Sequence, residues 1–396
     1  MREMKKMEMI SRLLSFVPDK LLNQLAVTEG VDKYSKKLQG QLIFKLLVYC
    51  MVTEKDNSLR GMQSAFESAI FQALIGSSFP ATISYSSISE RLGKIKWEYF
   101  QQIFKTCVAA YSEGLGKDKS AVIRFDSTIV SLSTKLLRTG YHLTGGDADK
   151  YRLLKYTIGF TNIPEAVYFY SDQTYNSENV ALSESVIAYS QASTRKINVF
   201  DQGITARDNY DKLTEKQIHF ISRINNNPKR TVYKSNTIVK KISTPTLNII
   251  SDSWVYLYTM YKKRTRYPVR LIKAVKKENK EFITFITNIK SIDVKEITEI
   301  YRSRWEIEVF FKFIKQHLNF SHLVNRTENG IKSILYITMT VAILLQQYKK
   351  DRKLKGYKIA KQKFSQDLER DIIYHIVVLC GGSVQKAKQV LFQNSS

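Results

Sequence analysis

From Ala121 to about Lys290 the sequence runs through short apolar stretches rich in β-branched and aromatic residues, whereas on both sides the apolar residues follow helical spacing. A chain patterned this way is neither all-helical nor all-β. A run of strands followed by alternating helix and strand predicts a mixed α/β core, preceded by a helical domain and followed by helices. With 396 residues, 43% of them hydrophobic, the chain can bury a sizeable core and form two or three domains. The boundaries we expect are a helical DNA-binding domain at 1–115, the first part of the core at 116–225, a β-rich insertion at 226–290, the second part of the core at 291–350 and a helical carboxyl-terminal region at 351–396.

In the first of these, Leu42 to Val52 is a nearly unbroken apolar segment, and Ser87-x-x-Glu90 has the form of a capping box. Ser84 to Lys96 opens with hydroxyls and turns basic, which suits either a recognition helix presented to DNA or an ordinary solvated helix. Ala121 to Phe125 reads as a strand ending on Asp126, with Tyr156–Thr161 and Ala166–Tyr170 completing a meander. The glycines of the intervening loop, Arg138 to Lys150, predict mobility. Glu178 to Ala192 reads as a helix, and Ile197 to Phe200 as a strand ending on Asp201. Further strands are expected at Trp254–Tyr261, Val269–Val275 and Phe282–Asn288. Between them, KKRTRYPVR at 262–270 interleaves cations with tyrosine, a combination suited to single-stranded or distorted DNA, or simply a basic sheet face.

Lys and Arg number 62 against 36 Asp and Glu, a formal charge of +26, which calls for a polyanionic partner. Nucleic acid fits better than a membrane, because no run approaches the roughly 20 apolar residues that a spanning helix requires. Ile334 to Leu345, the longest, reads as a buried core helix, and no secretory signal is evident. Three scattered cysteines without a C-x-x-C pair suit a reducing cytoplasm, and the five histidines show no zinc-ligand spacing.

Ile300 to Leu318, IYRSRWEIEVFFKFIKQHL, lacks Gly and Pro and predicts one continuous helix. At about 100° per residue, Tyr301, Arg304, Glu308 and Lys315 share a face roughly 60° wide, beside an apolar stripe of Ile300, Ile307, Phe310, Phe311 and Ile314. Glu306 points away from Glu308. The spacing of Arg304 and Glu308 also suits a plain salt-bridge ladder. Asp126 and Asp201, each after an apolar strand, stand where open α/β sheets place ligand groups, although an Asp there also serves as a turn former. Three carboxylates without nearby His or Cys favour Mg²⁺ or Mn²⁺, and two such ions suit in-line phosphoryl transfer. Arg304 and Lys315 would then meet flanking phosphates.

The run Tyr301-x-x-Arg304-x-x-x-Glu308-x-x-x-x-x-x-Lys315 matches the YREK signature and resembles the insertion-sequence-four (IS-four) family of DDE transposases. FDST around Asp126, FDQG around Asp201, FISRI at 220–224 and FITN at 285–288 resemble that family's other blocks, in its order. The resemblance covers about residues 85–345. It implies a ribonuclease H-like core with a β-rich insertion, Asp126, Asp201 and Glu308 as the catalytic metal-binding triad, and Tyr301, Arg304 and Lys315 as contacts to transposon-end DNA. It further implies two Mg²⁺ or Mn²⁺ ions, a homodimer on terminal inverted repeats and target DNA, and cut-and-paste through a hairpin in a bacterial cytoplasm. Gln202 departs from the basic residue common after the second Asp. Trp254 is available to stack on a flipped base, or to be buried. A structure-specific nuclease would use the same triad without joining DNA. A non-catalytic DNA-binding derivative would bind the ends without cutting.

Overall fold

The computed structural model describes residues 17–392 apart from 36, 54–57, 77–78, 115–120, 134–140, 143–150, 193–195, 237–241, 260 and 321–323. The chain divides into two compact units, one of residues 118–311 and the other of 312–396 together with 1–117, which carries α1 (Asp19–Thr28), α2 (Gly40–Thr53), α3 (Leu59–Glu67), α4 (Ala69–Ile75), α5 (Tyr85–Lys94) and α6 (Trp97–Gly114).

The first unit is built on a mixed sheet of ten strands among the described residues. Its strands are β1 (Val122–Ser133), β2 (Tyr141–His142), β3 (Tyr151–Phe160), β4 (Pro164–Tyr170), β5 (Ile197–Phe200), β6 (Phe220–Ile224), β7 (Arg230–Ser235), β8 (Leu247–Leu257), β9 (Val269–Lys276) and β10 (Phe282–Thr287). The order is β2-β3-β1-β5-β6-β10-β9-β8-β7, with β4 also on β3. β3 runs antiparallel to β1, whereas β5 and β6 run parallel to it. The strands of 226–290 do not form a separate sheet, because β10 pairs antiparallel with β6 and extends the same one. The strand expected at Trp254–Tyr261 begins earlier and ends sooner, as β8, and Trp254 is half-buried there. The glycine-rich loop at 138–150 lies outside the described residues except for 141 and 142.

Side-chain alternation along β1 sorts its residues between two cores. Ile123 and Phe125 join a cluster with Leu182 and Val186 of α7 (Glu178–Ala192) and with Tyr210 and Leu213 of α8 (Arg207–Glu215). A second cluster gathers Val199, Ile221, Ile272 and Phe285 around Ile297 and Tyr301 of α9 (Val294–Arg302). Asp126 therefore faces away from Phe125 and the α7 core.

In the second unit, helix Glu328–Asp351 is the centre. Contrary to expectation, it is long and apolar enough by composition to cross a membrane, yet most of its apolar stretch is buried in the protein. The helix extends well beyond Ile334–Leu345 on both sides. Tyr336 stacks on Trp97 with ring centroids 5.7 Å apart and accepts from Gln101 Nε2 at 2.8 Å.

The helix expected near Ser87 spans Tyr85–Lys94, one turn earlier than the capping-box reading. Its cap is Ser84, whose hydroxyl accepts from the Ser87 N–H at 3.2 Å, while Glu90 pairs with Lys94. The cations of this segment have internal partners. Arg91 donates to Leu38 O, Val31 O and Asp32, and Lys96 to Glu29 O. That favours the solvated-helix reading of 84–96 over a recognition helix.

Candidate active site

The site begins where two parallel strands part. β1 and β5 pair only from Val122 to Arg124 opposite Ile197 to Val199, and β5 stops at Phe200 while β1 runs on to Ser133. Asp126 does not end its strand as expected. It lies in mid-strand opposite Ile158 of β3, just past the last β5 partner, so its other flank opens onto the carboxyl end of β5. Asp201 is the first residue beyond β5, as expected. Its carbonyl accepts from Ser222 Oγ at 3.1 Å, which ties the turn to β6. This is the crevice outside the strand ends where α/β sheets gather ligands.

The helix carrying the remaining candidates is not continuous. α9 ends at Arg302, and α10 (Trp305–His317) starts after a tight turn at Ser303 and Arg304, closed by the Arg304 N–H on Tyr301 O at 2.9 Å. Arg124 explains the break. Its buried guanidinium donates to Ser303 O at 2.7 Å, to Thr161 O at 3.1 Å and to Glu306 at 3.2 Å. The cation that interrupts an apolar strand in the sequence therefore clamps the α9–α10 turn two residues from Asp126. Glu306, pointing away from Glu308, serves that clamp.

The turn brings three candidates together. Tyr301, nearly buried, donates its hydroxyl to Asp201 Oδ1 at 2.8 Å. Arg304 Nη2 lies 3.7 Å from Asp201 Oδ2 and also bonds Glu308 Oε1, so one guanidinium joins the strand-end carboxylate to the helix carboxylate. Burial, then the neighbouring Asp201, pushes the Tyr301 phenol up. Asp126 is near enough for Arg304 and Glu308 to affect its titration. Lys315 stands in the last turn of α10, among the residues assigned to the other unit.

Burial is the main reason that the Asp126 carboxyl is pushed up to about 6. The Ser127 N–H and Arg304 pull it down, and Glu178 and Glu308 push it further up. Between its ordinary value and about 6, the folded chain keeps a proton that the unfolded chain has released. Stability therefore falls as pH rises through that window and stays lower above it. Asp126→Asn, which mimics the neutral acid, is expected to stabilise the metal-free protein at pH 7.5 by on the order of 2 kcal/mol, the gain shrinking toward pH 4. Urea unfolding in EDTA at the two pH values measures this. A loss of stability at pH 7.5 would contradict burial as the cause.

The clamp role of Arg124 is the one that local pattern does not reveal. A cation interrupting an otherwise apolar strand is the signal that marks it.

The family model of the transposase DDE domain matches residues 125–345, more than half of the chain. The chain belongs to the DDE transposase family. Among curated proteins, this transposase is 24% identical over 255 residues, 62% of its own length, to a protein of Synechocystis sp. named as a transposase for insertion sequence element IS4SA. It is 26% identical over 148 residues, 37% of its length, to the Sinorhizobium fredii transposase y4zB. A Geobacillus stearothermophilus protein named as a transposase for insertion sequence element IS5377 is 24% identical over 155 residues, 39% of this chain. The matched stretches cover 67%, 41% and 40% of those three relatives respectively.

DDE transposases are metal-dependent DNA enzymes. The donor chemistry of this transposase fits a hard divalent ion, since Asp126, Asp201 and Glu308 offer only oxygen. Among the described residues no three His, Cys, Asp or Glu side chains lie close enough together to hold an ion as they stand. Arg304 bonds the Glu308 carboxylate and lies in ion-pair range of Asp201. Its Nε is buried with no hydrogen-bond partner among the described residues.

Proposed function

We propose that this transposase is an IS-four member that binds the terminal inverted repeats of an insertion sequence, pairs two ends as a homodimer, and performs Mg²⁺- or Mn²⁺-dependent hydrolysis and strand transfer. The route is cut-and-paste through a hairpin, in the bacterial cytoplasm on nucleoid DNA. Strands β4-β3-β1-β5-β6 and their helices are read as a ribonuclease H-like core, with 226–290 as its β-rich insertion. The supporting observation is that signature residues Tyr301 and Arg304 both engage Asp201, while Arg304 also holds Glu308.

In this reading Asp126, Asp201 and Glu308 would hold two ions, which would supply positive charge for phosphoryl transfer. In the metal-free protein the Asp126 carboxyl holds its proton up to about pH 6, so an ion taken up there would displace that proton and its binding is expected to strengthen as pH rises. Tyr301 orients the Asp201 carboxylate. Arg304 and Lys315 neutralise phosphates flanking the scissile bond.

The test is incubation of the full chain with end-containing DNA, a supercoiled target plasmid and Mg²⁺. Joined product is expected. Cut DNA without joining would make the protein a nuclease, and end binding without cutting would make it a non-catalytic derivative. Tyr301→Phe, which removes the donor to Asp201, is expected to slow cleavage by about tenfold to a hundredfold, matching the loss of one hydrogen bond to a charged group. Weaker DNA binding with an unchanged rate at saturating DNA would show that the phenol serves binding instead.

A further inference from the structure

β5 and β6 run side by side into the crevice. They pair from Asn198 opposite Phe220 to Phe200 opposite Ser222, so Asp201 and Arg223 are each the next residue on, and Ser222 Oγ donates to Asp201 O. On its other edge β6 sets Arg223 opposite Phe285, whose ring meets that of Tyr301 edge-on with centroids 5.2 Å apart. Cross-strand partners project from the same side of a sheet. The Arg223 side chain therefore rises on the face that carries α9, where Tyr301 bonds Asp201. Asp126, Asp201 and Arg223 thus belong to three successive strands of the sheet, β1, β5 and β6.

Arg223 is half-buried and its Nε is covered, yet its side chain makes no hydrogen bond or ion pair with any described residue. Arg304 and Arg352 also bury an unpaired Nε, but each bonds a carboxylate through another nitrogen. Glu281, just before β10, is held by Lys276 at 2.6 Å and does not serve Arg223. Taking a charge partly out of water without a counter-ion is unfavourable, and an apolar side chain would cover Phe285 as well. An anion from outside the chain would complete the group. A guanidinium presents donors in a planar fork that matches two oxygens of one phosphate.

We propose that Arg223 is a further DNA-binding residue of this site, holding the phosphate next to the scissile one on the β6 side of Asp201. This rests on the reading of Asp126, Asp201 and Glu308 as the place where DNA is cut. The signature residues all lie on α9, α10 or the turn between them, whereas Arg223 comes from the sheet. The strand being cut is then gripped from both.

Binding of an end-containing duplex to the full chain, read by fluorescence anisotropy in EDTA over a range of salt concentrations, tests the assignment without cleavage. Arg223→Met keeps the stem over Phe285 and loses the charge. It is expected to weaken binding by about tenfold and to lower the slope of log affinity against log salt by about 1, the value for one phosphate. Arg223→Lys restores the charge but not the fork, so the slope should return and the affinity only in part. In a second series, each phosphate around the cleavage point is replaced in turn by an uncharged methylphosphonate. The parent should lose affinity at the phosphate next to the scissile one, and Arg223→Met should lose nothing further there. Thermal unfolding confirms that both variants are folded. An unchanged salt slope in Arg223→Met, or a loss at that methylphosphonate equal to the parent's, would show that Arg223 does not hold the phosphate. Either result beside an Asp126→Asn variant that no longer cuts removes Arg223 alone. If Asp126→Asn cuts as the parent does, the reading of the site falls and this proposal with it.

Discussion

Asp126→Asn and Glu308→Gln are each expected to reduce DNA cleavage and joining by about a thousandfold or more, because the charge that a divalent ion contributes to phosphoryl transfer is worth several kcal/mol and needs its full donor set. DNA binding should persist in both, since neither substitution removes a cation. Labelled oligonucleotides carrying the element's ends, resolved on denaturing gels for cutting and native gels for binding, separate the two effects. Unchanged cleavage in either variant would remove that residue from the mechanism. Asp126→Asn carries a further mark, because the same variant is expected to be the more stable protein in metal-free buffer at neutral pH. A loss of activity caused by unfolding would show the opposite.

Asp252→Ala is expected to be the most damaging single change to stability, at about 3 to 5 kcal/mol, as for other buried ion pairs that lose one partner. Asp252 of β8 and Arg270 of β9 are 4% and 8% exposed in their side chains and bond through both arms, at 2.9 and 2.7 Å. Arg270 also donates to Ile292 O at 2.6 Å, immediately before Asp293 caps α9. The alanine variant would strand a buried guanidinium and loosen the entry to the helix that carries Tyr301. A shift in the urea midpoint measures the cost. Asp252→Leu combined with Arg270→Met should recover most of it, and a double variant as unstable as the single one would mean that strand geometry, not the unpaired charge, is responsible.

The elements with uninterrupted patterns were legible in advance. Ile197–Phe200 and Glu178–Ala192 stand where their residues predicted them, because a short β-branched run and a Gly-free, Pro-free stretch have few alternatives. Two departures at the site share one cause. The strand around Asp126 was cut short because a carboxylate usually ends an apolar run, yet the parting of β1 from β5 gives it an open flank. The helix around Glu308 was drawn straight because nothing in its sequence breaks it, yet Arg124, 179 positions away, takes Ser303 O out of the helical pattern. Both are long-range contacts to which local periodicity is blind.

By itself the sequence determined the mixed α/β class, the basic charge that demands a polyanionic partner, and the spacing of Tyr301, Arg304, Glu308 and Lys315. Each depends on composition or on neighbours within a few turns. Only the tertiary structure decided that Arg304 joins Asp201 to Glu308, and that the strands after β6 extend one sheet. It also decided that Arg223 stands beside Asp201 where β5 and β6 enter the crevice. Those depend on which strands pair and where one outruns its neighbour, and strand pairing between distant segments leaves no mark on either segment alone.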